Sequence, residues 1–426
     1  MLDIVYLLFA FFTVIATLTA LVRGRALGWL VPPWFLTSLV ATELALPLLL
    51  LELLVLMTAV AFLGSDTLVS LSHLLLTLSI LGNVFVLRRH LESGSTFERA
   101  LRTGLGVDFE SGIPLSRRMS LSHQVSSNAW FHPTRFQRPG VRVERDIAYG
   151  PAGKRNLLDI YLPARDGQHR PVLLHVHGGA WVMGHKAEQA QPLLHHMAAL
   201  GWVCVSINYR LSPRATFPDH IVDVKRSIAW IRQHISGYGG DPRFIAITGG
   251  SAGGHLASLA ALSASANDWQ PGFEAADTSI QAAMPLYGCY DLCDRHEIRY
   301  RNRIDGPVGR ALMKVSKEAS PEFWDRASPI SWVSEEAPPF FVIQGSHDTL
   351  IWVEEARRFV AELSSVSTQS VAYAELEGAQ HAFDLVHSPR TSHYLNAAAL
   401  WLEWAHADWS AKALQGVPST GPRKLP

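Results

Sequence analysis

The sequence predicts an α/β domain with a mostly parallel central sheet, preceded by an N-terminal bundle of about three transmembrane helices. Three observations lead there. Residues 1–87 carry only six charged side chains: Asp3, Arg23, Arg25, Glu43, Glu52 and Asp66. From about 143 to 409, short apolar strands alternate with helical segments, the pattern of parallel strands joined by crossover helices. One of those strands runs into a glycine-flanked serine at the head of a helix, Gly249-Gly250-Ser251-Ala252-Gly253-Gly254.

Composition sets the outer bounds. A chain of 426 residues has room for two or three domains and a sizeable core. Its 37 basic side chains balance 37 acidic ones, which excludes a globally basic nucleic-acid binder and a charged, disordered chain. Three cysteines exclude a disulfide-framed secreted scaffold. Charged residues are 17% of the chain, against roughly 25% in ordinary soluble domains. The N-terminus concentrates that deficit.

Three apolar runs, 4–22, 34–63 and 67–87, each reach the ~20 residues that a helix needs to cross a ~30 Å hydrocarbon core. A cleavable signal peptide wants Lys or Arg where the chain has only Asp3, and no small-residue cleavage site precedes Arg23. The first run therefore reads as a retained anchor. The second is longer than one span needs and carries Glu43, Pro47 and Glu52. An intramembrane carboxylate is a functional hypothesis by default; the plainer reading is a tilted or kinked helix whose Glu faces a neighbour or the interface. Arg23 and Arg25 follow the first run, Arg88 and Arg89 the third, and 64–66 has no positive charge. The positive-inside rule then places the start of the chain outside and everything after Arg89 in the cytoplasm.

Residues 88–142 hold nine Arg against four acids, a net of +5. Such a segment either lies on anionic headgroups or is a solvated linker with a short helix near 96–103. Residues 410–426 read as a flexible tail.

In the domain at 143–409, Leu157–Leu162 and 172–176 read as strands, and 202–207 lacks the polar alternation of a one-sided strand. Asp219–His234 places Ile221, Val224, Ile228 and Ile231 at helical spacing. Strand 244–248 precedes a helix of small residues at 251–264. Strands follow at Ala282–Leu286, 340–344 and 371–375, with a helix at 352–364 between the last two. Ligands of such sheets bind beyond the carboxyl ends of the strands, so residues just after each strand carry the search.

Ser251 follows strand 244–248 in a G-x-S-x-G setting, where glycines let strand and helix approach while the hydroxyl stands above the sheet edge at a helix N-terminus. After strand 172–176 comes His177-Gly178-Gly179-Ala180-Trp181, a turn able to present backbone N–H groups to an oxyanion. The expected donors are two among Gly178, Gly179 and Ala180, plus Ala252. His175 and His177 form an H-x-H pair, but no third ligand stands at recognisable spacing, and neither metal nor cofactor is expected. A serine nucleophile needs a base and the base an orienting acid, in the chain order Ser, acid, His. Asp348 follows strand 340–344 and His381 follows strand 371–375. Asp291 competes for the acid but more naturally orders its own turn, and His387 and His393 lie beyond the loop in a helical region. Cys289 and Cys293 read as structural.

At these residues the chain resembles the α/β-hydrolase superfamily, on the carboxylesterase/lipase branch near the hormone-sensitive-lipase-like and feruloyl-esterase-like enzymes, and most of all the actinobacterial lipase/esterase proteins. The matching pieces are Leu158-Asp159-Ile160-Tyr161, the stretch 177–181, Asn208-Tyr209-Arg210-Leu211-Ser212-Pro213, Tyr238-Gly239-Gly240-Asp241-Pro242, the stretch 249–254, Ala327-Ser328-Pro329, 345–348 and His381-Ala382-Phe383. They cover about 143–407. Two departures stand out: Ala180 replaces a third glycine after the His, and residue 250 is Gly where an acid is common. The resemblance implies an α/β-hydrolase fold and ester hydrolysis through an acyl-enzyme, without naming the ester.

The expectation is a multi-pass, membrane-anchored serine carboxylesterase/lipase acting on a small-molecule or lipid ester, with no nucleic-acid partner and an open oligomeric state. Its catalytic residues are Ser251, Asp348 and His381. Residues 291–335, with Cys293, Arg295, Tyr300, Phe323 and Trp324, are expected to cap the pocket. A formamidase or other amidase would use the same machinery, and a catalytically silent membrane protein would keep the fold without the chemistry.

Overall fold

A computed structural model of the chain describes residues 1–24, 30–121, 127–165, 167–299 and 306–415. Arg25, used above for orientation, and Tyr300, placed in the cap, lie outside the described residues, as do 416–426 of the expected tail.

The N-terminal helices are α1 (Leu2–Leu21), α2 (Val31–Glu43), α3 (Ala45–Phe62) and α4 (Thr67–Leu105). Among the described residues, α1, α3 and α4 are long and apolar enough to cross a membrane. The run expected at 34–63 is two helices. Pro47 lacks the N–H that would reach back to Glu43, and the chain leaves helical geometry at Leu44. Tyr6 meets His73 edge-on at 5.5 Å at one end of the bundle. At the other end Ala20, Ala41, Ala45 and Val86 pack together.

The third helix does not stop at residue 87. It starts at Asp66, whose side chain accepts from the Val69 amide at 2.9 Å, and runs unbroken to Leu105. So 88–105 is not a linker. Phe97, Ala100 and Leu101 recur at helical spacing beneath the arginines and are buried in the core of the following domain. A Cβ on Gly104 would lie 2.6 Å from the Ala372 Cα, so helix and sheet touch backbone to backbone there. Farther on, α5 (Leu115–Leu121) carries Arg117, which pairs with the buried Glu403.

The remainder is one eight-stranded sheet: β1 (Arg142–Ala148), β2 (Leu157–Leu162), β3 (Arg170–Val176), β4 (Val203–Ile207), β5 (Gly240–Gly250), β6 (Ala282–Leu286), β7 (Phe340–Gly345) and β8 (Val371–Leu376). The order is β1-β2-β4-β3-β5-β6-β7-β8. β2 pairs antiparallel with both β1 and β4; every pairing from β4 across to β8 is parallel. The helices α6 (Gln191–Ala199), α7 (Asp219–His234), α8 (Ala252–Leu262), α9 (Pro307–Met313), α10 (Pro321–Arg326), α11 (Val353–Val366) and α12 (Pro389–Leu414) follow in chain order. The core splits into two layers. α7, α8 and α11 pack on one face with Ile221, Leu256 and Phe359. α6, α12 and the end of α4 pack on the other with Leu194, Trp401 and Phe97. Ser410 to Leu414, expected in the tail, belong to α12.

Candidate active site

The turn between β5 and α8 carries Ser251 at φ +59°, a conformation that non-glycine residues rarely adopt. A Cβ on Gly253 would fall 2.0 Å from the Val176 carbonyl oxygen, and one on Gly249 2.5 Å from the Gly253 oxygen, so only glycines permit this crossing of strand and helix. The Ser251 amide is anchored on the Leu286 carbonyl at 3.0 Å, and the side chain remains partly open.

Asp348 follows β7 and His381 follows β8. His381 Nδ1 donates to Asp348 Oδ2 at 2.7 Å, with both side chains buried. That carboxylate is saturated: Gln344 Nε2 donates to Oδ2 at 2.9 Å, and the amides of Leu350 and Ile351 each donate to Oδ1 at 2.8 Å. Asp291 accepts from the amides of Cys293 and Arg295, which orders its own turn. The Tyr287 ring bridges the two halves of the site. Its hydroxyl would meet a Cβ on Gly250 at 2.6 Å, and its ring lies 4.6 Å from that of His381. The hydroxyl donates to the buried Asp384, and burial raises the Asp384 carboxyl above the ordinary range. Sequence reading missed Tyr287 and Asp384; a buried tyrosine directly after β6, facing the His loop, was their signal.

After β3, Gly179, Ala180 and Trp181 all have positive φ, a run that turns their amides away from the sheet. A Cβ on Gly179 would sit 2.2 Å from the Met183 carbonyl oxygen. Of the four candidate donors, two among Gly178, Gly179 and Ala180 plus Ala252 are expected to serve, and the structure separates them. The Gly178 amide donates to Gln189 Oε1 at 2.7 Å and is already engaged. Gly179, Ala180 and Ala252 donate to no acceptor among the described residues. The loop is braced from below: His177 stacks on Tyr209 at 4.4 Å, and the Tyr209 hydroxyl donates to the His177 carbonyl at 3.0 Å. Trp181 Nε1 donates to His255 Nδ1 at 3.2 Å, leaving His255 Nε2 to donate to the Ala327 carbonyl at 2.7 Å.

His175 and His177 are each otherwise occupied. His175 Nδ1 meets Ser206 Oγ at 2.9 Å, and His177 Nδ1 the Gly178 carbonyl at 2.7 Å. Burial lowers their pKa values to about 3 and about 4. Among the described residues no group of three or more His, Cys, Asp or Glu is arranged to hold a metal ion. Cys289 and Cys293 are free thiols, and Cys289 is buried beside Arg299. In the expected cap, Trp324 is buried in the core, and Phe323 packs on Phe217 at 5.6 Å.

The N-terminal helices also reach the site. Phe35 of α2 stands edge-on to His381 at 6.1 Å. Ser38 Oγ accepts from Gln380 Nε2 at 3.1 Å, while Gln380 Oε1 takes the amides of Thr349 and His381, each at 2.8 Å.

Comparison with known proteins agrees with this architecture. The BD-FAE family model matches residues 158–363. The chain is 42% identical over 386 residues to a probable carboxylic ester hydrolase, LipM, of Mycobacterium tuberculosis, covering 90% of this chain and 89% of that one. That match is longer than everything from residue 143 onward, so it extends into the N-terminal helices. Esterase LipQ of the same organism is 50% identical over 248 residues, 58% of each chain. By fold, the chain is similar to a truncated carbohydrate esterase from gut microbiota (TM-score 0.54, 21% identity, 62% of this chain and 99% of that one). It is also similar to esterase 2 of Thermogutta terrifontis (TM-score 0.50, 23% identity, 67% and 97%).

Proposed function

Because the chain belongs to the α/β-hydrolase esterases, we propose that it is a membrane-anchored serine carboxylesterase or lipase working through Ser251, Asp348 and His381. One observation carries this reading: a buried His381–Asp348 bond of 2.7 Å on adjacent strand-end loops, beside a serine held at positive φ on a third.

Ser251 Oγ attacks the ester carbonyl while His381 Nε2 takes its proton. Asp348 holds the Nδ1–H tautomer and stabilises the imidazolium. The developing oxyanion accepts hydrogen bonds from the free amides of Gly179, Ala180 and Ala252, at the N-terminus of α8. His381 returns the proton to the leaving alcohol, then draws one from water to release the acid from Ser251. Gln189 serves the oxyanion turn by holding Gly178 rather than the substrate.

The helices α1, α3 and α4 anchor this machinery in a bilayer, and their outward faces carry the exposed apolar side chains that lipid would cover, such as Phe12, Leu54 and Leu81. Arg23 and Arg89 sit at the hydrolase end of the bundle, paired with Glu354 and Glu377, which favours a cytoplasmic catalytic domain. The test is labelling of the full-length protein by a fluorophosphonate probe. Wild type labels at Ser251 and Ser251→Ala does not; unlabelled, folded wild type refutes the proposal.

A further inference from the structure

The helix α2 is 13 residues long, too short to cross a membrane, and it packs on the catalytic loops. Besides Phe35 and Ser38, its last residue Glu43 forms a buried ion pair with Arg390 and accepts from Ser388 Oγ at 3.0 Å. At the end of α1, the Ala20 carbonyl accepts from His347 Nδ1 at 3.1 Å, and Arg23 pairs with Glu354. The membrane helices and the loops bearing Asp348 and His381 are therefore joined through polar contacts, all buried except the more exposed Arg23–Glu354 pair. A tether to a surface would need none of them.

Exposed apolar side chains stand around this junction. On α2, Leu36 is 58% exposed and Val40 46% exposed. On the catalytic loops, Met183 beside the oxyanion turn is 64% exposed and Leu350 beside Asp348 is 38% exposed. Water-facing loops of a soluble esterase gain nothing from such residues, whereas at the level of the bilayer they are covered.

We infer that the ester hydrolysed at this site is a bilayer-resident lipid ester, reaching Ser251 along α2 with Phe35 lining the path of its acyl chain. This rests on the Ser251, Asp348 and His381 reading above. An acyl chain that moves from bilayer to pocket without crossing water never exposes its methylenes to it.

The experiment uses full-length protein in phosphatidylcholine vesicles with two substrates, dioleoylglycerol in the bilayer and 4-nitrophenyl acetate in the water. Wild type hydrolyses both. Phe35→Ala lowers the ratio of lipid to acetate turnover about tenfold, mainly through the apparent KM for the lipid, and Phe35→Leu restores most of it. Leu36→Gln, at an exposed position that leaves folding intact, lowers the same ratio. An unchanged ratio in both Phe35→Ala and Leu36→Gln overturns the inference. So does a wild type that hydrolyses the acetate but leaves the lipid untouched, which would preserve the serine-esterase reading. Failure on both substrates together with no fluorophosphonate labelling would remove both.

Discussion

Replacing Asp348 by Asn tests the proposed mechanism most sharply, because the two orientations of the new amide can be compared from the hydrogen bonds alone. Asp348 Oδ1 holds the amides of Leu350 and Ile351, and Oδ2 holds Gln344 Nε2 and His381 Nδ1. If the Asn nitrogen takes the Oδ1 place, two buried backbone donors face a third donor, at a cost of about 1–3 kcal/mol each. If it takes the Oδ2 place, both backbone bonds survive and only the Gln344 side-chain bond is lost. The second orientation wins. It makes the substituted side chain a donor to His381 Nδ1, so the ring proton moves to Nε2, where a base for Ser251 needs a lone pair. The fold survives and the general base is disabled. We expect kcat on a soluble aryl ester to fall about 10⁴-fold, near 5.5 kcal/mol of transition-state stabilisation, with KM changed little. Initial rates on purified variant and wild type, with thermal unfolding as the control for folding, measure it. Retention of more than about a tenth of kcat would refute the assignment of Asp348. The same loss in Asp384→Asn, with Asp348→Asn active, would transfer the orienting role to the carboxylate under Tyr287.

Gly179→Ala places a Cβ 2.2 Å from the Met183 carbonyl at φ +114°; turnover is expected to fall about 10²–10³-fold, measured as kcat with fluorophosphonate labelling slowed in parallel. Arg390→Met strands Glu43 as a buried, unpaired charge and should cost about 3–5 kcal/mol, read as a lowered unfolding temperature in detergent, with Glu43→Leu added to Arg390→Met recovering much of the loss. Acid should destabilise the hydrolase domain well above the carboxylate range. Burial lowers His255 to about 4, whereas an unfolded histidine titrates near 6.5. Below about pH 6.5 the unfolded chain binds the proton and the native one does not. Stability is therefore full above that value and is lost as pH falls toward 4, by roughly 3 kcal/mol from His255 alone. Chemical unfolding followed between about pH 8 and 4.5 checks the sign, and a flat profile would contradict it.

The sheet was legible because its strands are buried on both faces and read as short apolar runs; Leu157–Leu162 and Ala282–Leu286 coincide with β2 and β6 residue for residue. The strand-end positions of Ser251, Asp348 and His381 were legible because the proposed chemistry demands particular residue types just past a strand. What escaped was coded by partners far away in sequence. Nothing local in Gly178 says that Gln189 occupies its amide. The spacing in 96–103 suggests a short helix, but nothing local says that it continues unbroken from the third apolar run or that Phe97 and Leu101 enter the core of the next domain while Arg88 and Arg102 pair with Glu92 and Glu98 on the solvent side. Antiparallel β1, with an exposed side chain at most positions and a register shift at Glu144, carries no clean alternation at all.

The two carboxylates in the second apolar run have different partners, and the difference shows what the N-terminal helices are built to do. Glu52 is satisfied inside the bundle, accepting from Ser79 Oγ at 2.7 Å and Asn83 Nδ2 at 2.9 Å on α4. It holds helix to helix. Glu43 is the last residue of α2, where the helix dipole disfavours a negative charge, and Arg390 lies in the first turn of α12, where it disfavours a positive one. Each is misplaced on its own helix. Side chains that break the local rule at both ends of one contact are explained by the contact itself. Here it joins α2 to the segment directly after the His381 loop, so the placement of the N-terminal helices is set by the loops bearing Asp348 and His381 as much as by packing among the helices themselves.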